Sequence, residues 1–358
     1  MKVACIPGDG VGKEITDELL KIASVFNEHF KNKVTFDVFP YGGENFIKYG
    51  KTLTKDFLKR LQNEYRGVFI GALGDPSVYT QKYISEIHQS IFETLDLSIN
   101  IKPIILFDKS LTPLKGIQAN EIDITFFRES MNYYYNLSGA RKRKNNTSEI
   151  SSDMIVYSYI NVKNILSDIF NFIIDNNGTT VFLIQREKLF PNSSILWKRV
   201  FNELINDNDK LHGEILELPQ FLTMFFKNPQ KFNNIISPGA TGEVLSEMLL
   251  HLTKGRFTSL SAFKNSENKF MVEPLHGPLP TIADRNRVLP FGALHSLGMI
   301  YEFLGMRIPA KLIRKAIFHA FENEWLTIDF DGSMNTDSIG DFISSYIDEE
   351  LKNISHNK

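Results

Sequence analysis

Apolar residues near the start of the chain follow two alternating rhythms. Residues 3–6 form a short unbroken apolar run that predicts a buried strand. Ile15, Leu19, Leu20, Ile22 and Ala23 then recur at helical spacing across 13–26. Residues 34–39 alternate as a strand does. Phe57, Leu58 and Leu61 mark a helix over 54–65, and 67–71 predict another buried strand. A helix over 83–97 leads into an extended run at 99–106 that carries Pro103, and 122–127 is again strand-like. Regular alternation of strand and helix predicts an α/β fold, a sheet with helices on its faces.

The middle of the chain breaks this rhythm. Tyr133, Tyr134 and Tyr135 lead into Ala140-Arg141-Lys142-Arg143-Lys144-Asn145-Asn146, expected to be an exposed loop or arm. Residues 154–160 read as a strand, and 162–174 as an amphipathic helix stopped by Asn176-Asn177-Gly178. Strands are expected at 180–184 and 234–237, and helices at 242–252, 291–304, 310–324 and 341–351. No internal repeat or low-complexity tract is visible.

Length adds that 358 residues exceed what one core usually holds, so two lobes are expected. With 42% hydrophobic and 23% charged residues the chain has ordinary globular composition. A net charge of −2 provides no overall positive field for nucleic acid or an acidic membrane. The basic run at 141–144 lacks interleaved aromatics and is diluted by Glu149 and Asp153. It reads as a solvated loop, with phosphate binding the less favoured alternative. The single cysteine, Cys5, excludes an internal disulfide and a cysteine-based zinc cluster. The apolar start is too short for a secretory signal. The most apolar later stretch, 289–306, is interrupted by Gly292, His295, Gly298 and Glu302, so no membrane span is expected. A cytoplasmic protein is the expectation.

Three local patterns could carry chemistry. Gly8-Asp9-Gly10-Val11-Gly12 joins a strand to a helix, where backbone N–H groups could receive an anion. It has neither dinucleotide-fingerprint nor P-loop spacing, and a tight turn needing positive φ explains it equally well. Glu243 and Glu247 are four apart on an expected helix and share a face. They could hold a hard divalent cation, or simply form a solvated helix face. Glu273-Pro274-Leu275-His276-Gly277, followed by Pro280, reads as a shaped loop whose histidine is either structural or ligand-facing. There is no G-x-S-x-G elbow and no H-E-x-x-H, so serine hydrolase and zinc protease chemistry have no support.

Taken in order, these pieces resemble one family, the metal- and NAD(P)-dependent β-decarboxylating dehydrogenases, above all 3-isopropylmalate and isocitrate dehydrogenase. Ile6-Pro7-Gly8-Asp9-Gly10-Val11-Gly12-Lys13-Glu14 is similar to the family's I-P-G-D-G-I-G-P-E. Gly71-Ala72-Leu73-Gly74-Asp75-Pro76 resembles G-A-V-G-G-P. The run from Leu95 to Pro103 resembles L-D-L-Y-A-N-L-R-P. Phe127-Arg128-Glu129 with Tyr135 resembles V-R-E…Y, Gly242-Glu243-Val244-Leu245-Ser246-Glu247 resembles G-D-I-L-S-D, and Glu273 to Gly277 resembles E-P-V-H-G. The likeness runs along nearly the whole chain.

This resemblance implies a two-lobed, non-Rossmann α/β fold with a large mixed sheet. One lobe would be 1–97 plus 254–358, on the cofactor side. The other, 98–253, would dimerise and supply the substrate and metal side. It implies NAD(P) and Mg²⁺ or Mn²⁺ as cofactors, with cofactor contacts at Glu273, His276, Gly277 and Thr281. Substrate carboxylates would meet Lys102 and Arg128, the metal would meet Glu243 and Glu247, and Tyr135 would handle a proton.

Carried over residue by residue, the resemblance also shows departures. One clamp arginine is Lys102, which loses the bidentate fork, and another is Phe92. The catalytic lysine is replaced by Glu187, with Lys188 one place along. The third metal aspartate, which the family takes from the neighbouring subunit, falls on Pro219. The nucleotide-selecting position is Thr281, and the later asparagine is Leu289. The reading that follows is a homodimer, or a heteromer with a paralogue, weakly active or inactive and kept to bind a small carboxylate or for assembly. The alternative is an active NAD(P)- and Mg²⁺-dependent decarboxylase of a 2-hydroxy acid such as 3-isopropylmalate. Nucleic-acid binding through 141–144 ranks third.

Overall fold

A computed structural model describes residues 1–80, 82–130, 138–145 and 148–356, with backbone only at 138–145, 148, 153 and 356. Twelve strands are seen among them: β1 (Lys2–Gly8), β2 (Thr35–Val38), β3 (Gly67–Ala72), β4 (Ile99–Ile105), β5 (Asp123–Glu129), β6 (Ser138–Asn145), β7 (Ser148–Met154), β8 (Thr180–Gln185), β9 (His212–Glu217), β10 (Asn234–Ile236), β11 (Leu260–Lys264) and β12 (Phe270–Pro274). Helices separate most of them, giving the α/β class that the alternating pattern predicts. The chain divides into two compact units, 1–96 with 105–120 and 250–358, and 97–104 with 121–249. Residues 105–120 therefore group with the first unit rather than inside the block 98–253.

In the first unit the strand order is β2-β1-β3-β12-β11. β1 runs parallel to β2 and β3, β3 parallel to β12, and only β11 and β12 are antiparallel. All six residues of β3 are buried, as expected of a parallel strand covered on both faces. Helix Gly12–His29 buries Ile15, Leu19, Ile22, Ala23 and Phe26, the stripe its spacing foretells. Helix Phe291–Phe303 is buried on nearly every side, which is why its apolar residues show no single face. Helix Lys55–Glu64 starts where Thr54 accepts the Phe57 amide at 3.1 Å, a side-chain cap.

The second unit orders its strands β4-β5-β10-β8-β9, with β5, β10, β8 and β9 mutually parallel. Two expectations fail here. The segment 141–144 is not a loop: it lies in β6, which pairs antiparallel with β7 in the register Arg141↔Ser151 and Arg143↔Glu149. Nor do residues 154–160 form a strand. β7 ends at Met154, and helix Tyr159–Asp175 begins where Ser158 accepts the Asn161 amide at 3.3 Å. The Ile, Val and Tyr content favours a strand locally, but the serine cap satisfies a helix start instead. Helices Pro191–Asn206 and Leu218–Lys227, both opened by proline in the first turn, had no expected counterpart.

Candidate functional site

The turn at Gly8–Gly12 is built as a fastening. Gly8 and Gly10 have φ of +76° and +52°, and a Cβ on Gly8 would lie 1.8 Å from the Ala72 carbonyl oxygen. Three of the turn's N–H groups are occupied: Asp9 donates to Ala72 O at 2.7 Å, Val11 to Pro278 O at 2.9 Å and Gly12 to Asp9 O at 2.9 Å. The buried Asp9 carboxylate accepts from Gly43 N at 2.7 Å, Gly74 N at 2.8 Å and the Tyr83 hydroxyl at 2.7 Å. Of the two sequence readings, the tight turn is the one seen.

A charged cluster forms in the second unit. β4 carries Lys102 and β5 carries Arg128, both buried. Helix Gly239–His251 presents Glu243 and Glu247 on one face. The helix comes close because Gly242 has no side chain: a Cβ there would lie 1.9 Å from Ser237 O and 3.3 Å from Arg128 Cδ. Arg128 pairs with Glu243 through Nη1 and Oε2. Lys102 Nζ lies 3.4 Å from Glu247 Oε1 and 3.2 Å from Ser246 Oγ. Burial lowers the Lys102 pKa, with Glu243 and Glu247 working to raise it and Arg128 adding to the depression. The structure thus joins the expected carboxylate clamp and the expected metal carboxylates into mutual ion pairs.

Glu129, beside Arg128 in sequence, anchors the start of the same helix. It is buried, and one carboxylate oxygen accepts from the Gly239 amide at 2.7 Å and the Tyr157 hydroxyl at 2.9 Å. Burial raises its pKa. Its adjacency to Arg128 was the available sequence signal, and Ser246 lay within the motif from Gly242 to Glu247; nothing local marked Tyr157. Glu187, just past β8, pairs with Lys198 of helix Pro191–Asn206, and its amide donates to Glu217 Oε1 at 3.2 Å. Pro219 lies in the first turn of helix Leu218–Lys227, where its missing N–H costs little. Tyr135 lies outside the described residues.

The four expected cofactor residues each have their own surroundings. Glu273, on β12, bonds His88 Nε2 of helix Lys82–Leu95 at 2.8 Å, while His88 Nδ1 meets Ile84 O at 2.9 Å. Both ring nitrogens face acceptors, a pattern that the doubly protonated imidazole satisfies. Burial opposes that charge, yet the Glu273 carboxylate keeps the pKa above its usual value. His276 Nδ1 turns back on Gly277 O at 3.0 Å, and burial lowers its pKa. A Cβ at Gly277 would meet nothing within 4 Å, and Thr281 is exposed. Phe92 is fully buried, edge-on to Phe263 at 4.6 Å.

Metal fit is poor within one chain. Among the described residues no three His, Cys, Asp or Glu side chains gather as a metal site. The two carboxylates that could serve already neutralise Arg128 and Lys102. What the cluster can do is exchange partners: an incoming carboxylate could displace Glu243 or Glu247 from either cation.

The model of the family described as isocitrate/isopropylmalate dehydrogenase matches residues 2–343. The homoisocitrate dehydrogenase of Methanocaldococcus jannaschii is 27% identical over 359 residues, covering 98% of this chain and 99% of that one. A 3-isopropylmalate dehydrogenase of Bifidobacterium longum is 24% identical over 341 residues, covering 95% of this chain and 96% of that one. In fold, the isocitrate dehydrogenase of Methylococcus capsulatus superposes with a TM-score of 0.80 at 20% identity, covering 97% of this chain and 99% of the other. A beta-decarboxylating dehydrogenase of Thermococcus kodakarensis does so at 0.79 and 20%, covering 98% and 97%.

Proposed function

Because the chain belongs to the isocitrate/isopropylmalate dehydrogenase family, we propose that it is a member with an altered catalytic set, weakly active or inactive as a dehydrogenase and retained to bind a small carboxylate or for assembly. The observation that carries this reading is the ion pairing of Glu243 with Arg128 and of Glu247 with Lys102. A dehydrogenase of this kind would need those carboxylates for a divalent cation and those cations for substrate. Here those carboxylates pair with those cations, so a metal and a substrate would each have to displace an internal partner. Glu187, standing where the family resemblance calls for a lysine, offers a carboxylate paired with Lys198 in place of an amine. Removing a general base costs about 10²–10⁴ in rate.

In this reading Lys102 and Arg128 receive a small carboxylate, and Tyr135 keeps the place of the proton-handling tyrosine. NAD(P) would bind by Glu273, His276, Gly277 and Thr281, with one Glu273 oxygen already bonded to His88. Mg²⁺ or Mn²⁺ would have Glu243 and Glu247 but, at Pro219, no third oxygen. Assembly would use the lobe 98–253, as a homodimer or with a paralogue. Support comes from the exposed apolar side chains Met154, Val156 and Ile160 on that unit.

The second reading, an active metal- and NAD(P)-dependent decarboxylase of a 2-hydroxy acid, is favoured by the likeness to a homoisocitrate dehydrogenase along nearly the whole chain. Purified protein offered NAD⁺ or NADP⁺ with Mg²⁺ or Mn²⁺ and isopropylmalate, isocitrate, homoisocitrate, malate or tartrate separates the two. The first predicts little or no metal-dependent reduced nucleotide. Clear turnover on any of these acids overturns it.

A further inference from the structure

Glu243 and Glu247 ride on one helix, Gly239–His251, so their grip on Arg128 and Lys102 depends on how that helix is fastened. They lie about one and two turns beyond its start, and a shift there is carried to both. Just before the helix, Ser237 donates its amide to Phe127 O at 3.2 Å and its hydroxyl to Ile184 O at 2.9 Å, which ties this point to β5 and β8. Gly242 approaches so closely that a Cβ would lie 1.9 Å from Ser237 O and 3.3 Å from Arg128 Cδ. The helix therefore has little room to sink further toward β5. The movement left to it is outward, away from the cations.

One carboxylate opposes that movement. Oε1 of the buried Glu129 accepts from the Gly239 amide at 2.7 Å and from the Tyr157 hydroxyl at 2.9 Å. A helix's first amides have no acceptor within the helix, and a negative acceptor also meets the positive end of its dipole. Glu129 follows Arg128 on β5, so one strand both holds the helix start and receives Glu243. The Tyr157 hydroxyl orients the holding oxygen, while its ring stands edge-on to Trp197 at 5.7 Å. Glu243 and Glu247 are then built-in competitors for the two cations. An external carboxylate must displace them, and its apparent affinity falls with the small fraction of molecules in which they have moved aside. We propose that Glu129 and Tyr157 are positioning residues that keep Arg128 and Lys102 occupied by the protein's own carboxylates, so that loosening their hold on Gly239 tightens the binding of an external one. This rests on the reading that Lys102 and Arg128 receive a small carboxylate. A contact that merely stabilised the unit would act in the opposite sense, its loss weakening the ligand.

The test titrates the full chain calorimetrically with succinate, whose two carboxylates match the two cations, in the absence of divalent metal and alongside thermal melting. Tyr157→Phe alters no charge and keeps the ring on Trp197. It should melt no higher than the parent, yet bind succinate about threefold to tenfold more tightly. Glu243→Gln removes one competitor outright and should tighten binding at least as much. Added to Glu243→Gln, Tyr157→Phe should have a clearly smaller effect than it has alone, because the hold then restrains one competitor fewer. Arg128→Gln should abolish binding. Unchanged or weaker succinate binding in Tyr157→Phe overturns the proposal and leaves the carboxylate reading standing. An effect of Tyr157→Phe that is undiminished beside Glu243→Gln overturns it too, since the hydroxyl would then act by another route. If no protein in the set binds succinate, or if binding survives Arg128→Gln, the carboxylate reading itself falls and the proposal with it.

Discussion

Restoring an arginine at position 92 tests whether the altered set can be repaired one residue at a time. Phe92 is fully buried on helix Lys82–Leu95, together with Tyr83, Ile87, Ile91 and Leu95, and meets the Phe263 ring edge-on at 4.6 Å. Losing a buried phenyl ring costs about 3–5 kcal/mol, including about 0.5–1.5 kcal/mol from the edge-to-face contact. A guanidinium cannot shed its proton, so Phe92→Arg also buries an unpaired charge, adding several kcal/mol. The sum, about 6 kcal/mol or more, is a large share of the about 5–15 kcal/mol that holds a domain together. Phe92→Leu, which keeps an apolar filling, should lose only about 1–2 kcal/mol. The two tryptophans lie in different units, Trp197 in the second and Trp325 in the first. In urea, with Trp197→Phe as background, the Trp325 signal should show a strongly lowered midpoint for Phe92→Arg and a slight one for Phe92→Leu. A Phe92→Arg protein with an unchanged midpoint, or one that gains turnover on a dicarboxylate, refutes the packing argument.

Other outcomes follow from single contacts. Asp9→Ala orphans two backbone amides and weakens the hold on Tyr83, so unfolding free energy should fall by about 3 kcal/mol; a change below about 0.5 kcal/mol would contradict the fastening role. Gly242→Ala should cost about 2 kcal/mol or more, because its Cβ would meet Ser237 O at 1.9 Å, and should loosen the Arg128–Glu243 pair seen by amide exchange along helix Gly239–His251. His88, whose pKa is raised in the fold, contributes stability that is complete below its unfolded value near 6.5 and is lost as pH climbs through the folded one. Denaturation midpoints should therefore fall as pH rises from about 6.5 toward alkaline values, and His88→Leu should flatten that slope; an unaltered slope assigns it to other groups.

Much of this was legible along the chain. Helix Gly12–His29 and the strand β3 follow from local rhythm, because their burial is one-sided or complete and leaves a period or an unbroken run. The run 141–144 and the segment 154–160 misled, since ribbon pairing and a serine cap outweigh composition there. The membership of Lys102, Arg128, Glu243 and Glu247 in one site came through family resemblance, not through spacing; the structure pairs Lys102 with Glu247 and Arg128 with Glu243.

Sequence alone determined the α/β class, the tight turn at Gly8–Gly12 as one of two options, and which residue types occupy each position of the site. Tertiary structure decided what those residues do to one another. His88 meets Glu273 from 185 positions away, and Arg128 meets Glu243 from 115 away. Such encounters depend on where strands and helices deliver side chains within a few ångströms. Electrostatic and hydrogen-bond energies change sign with partner and burial over that distance, whereas the apolar periodicity that forms the elements is written in neighbours three or four residues apart.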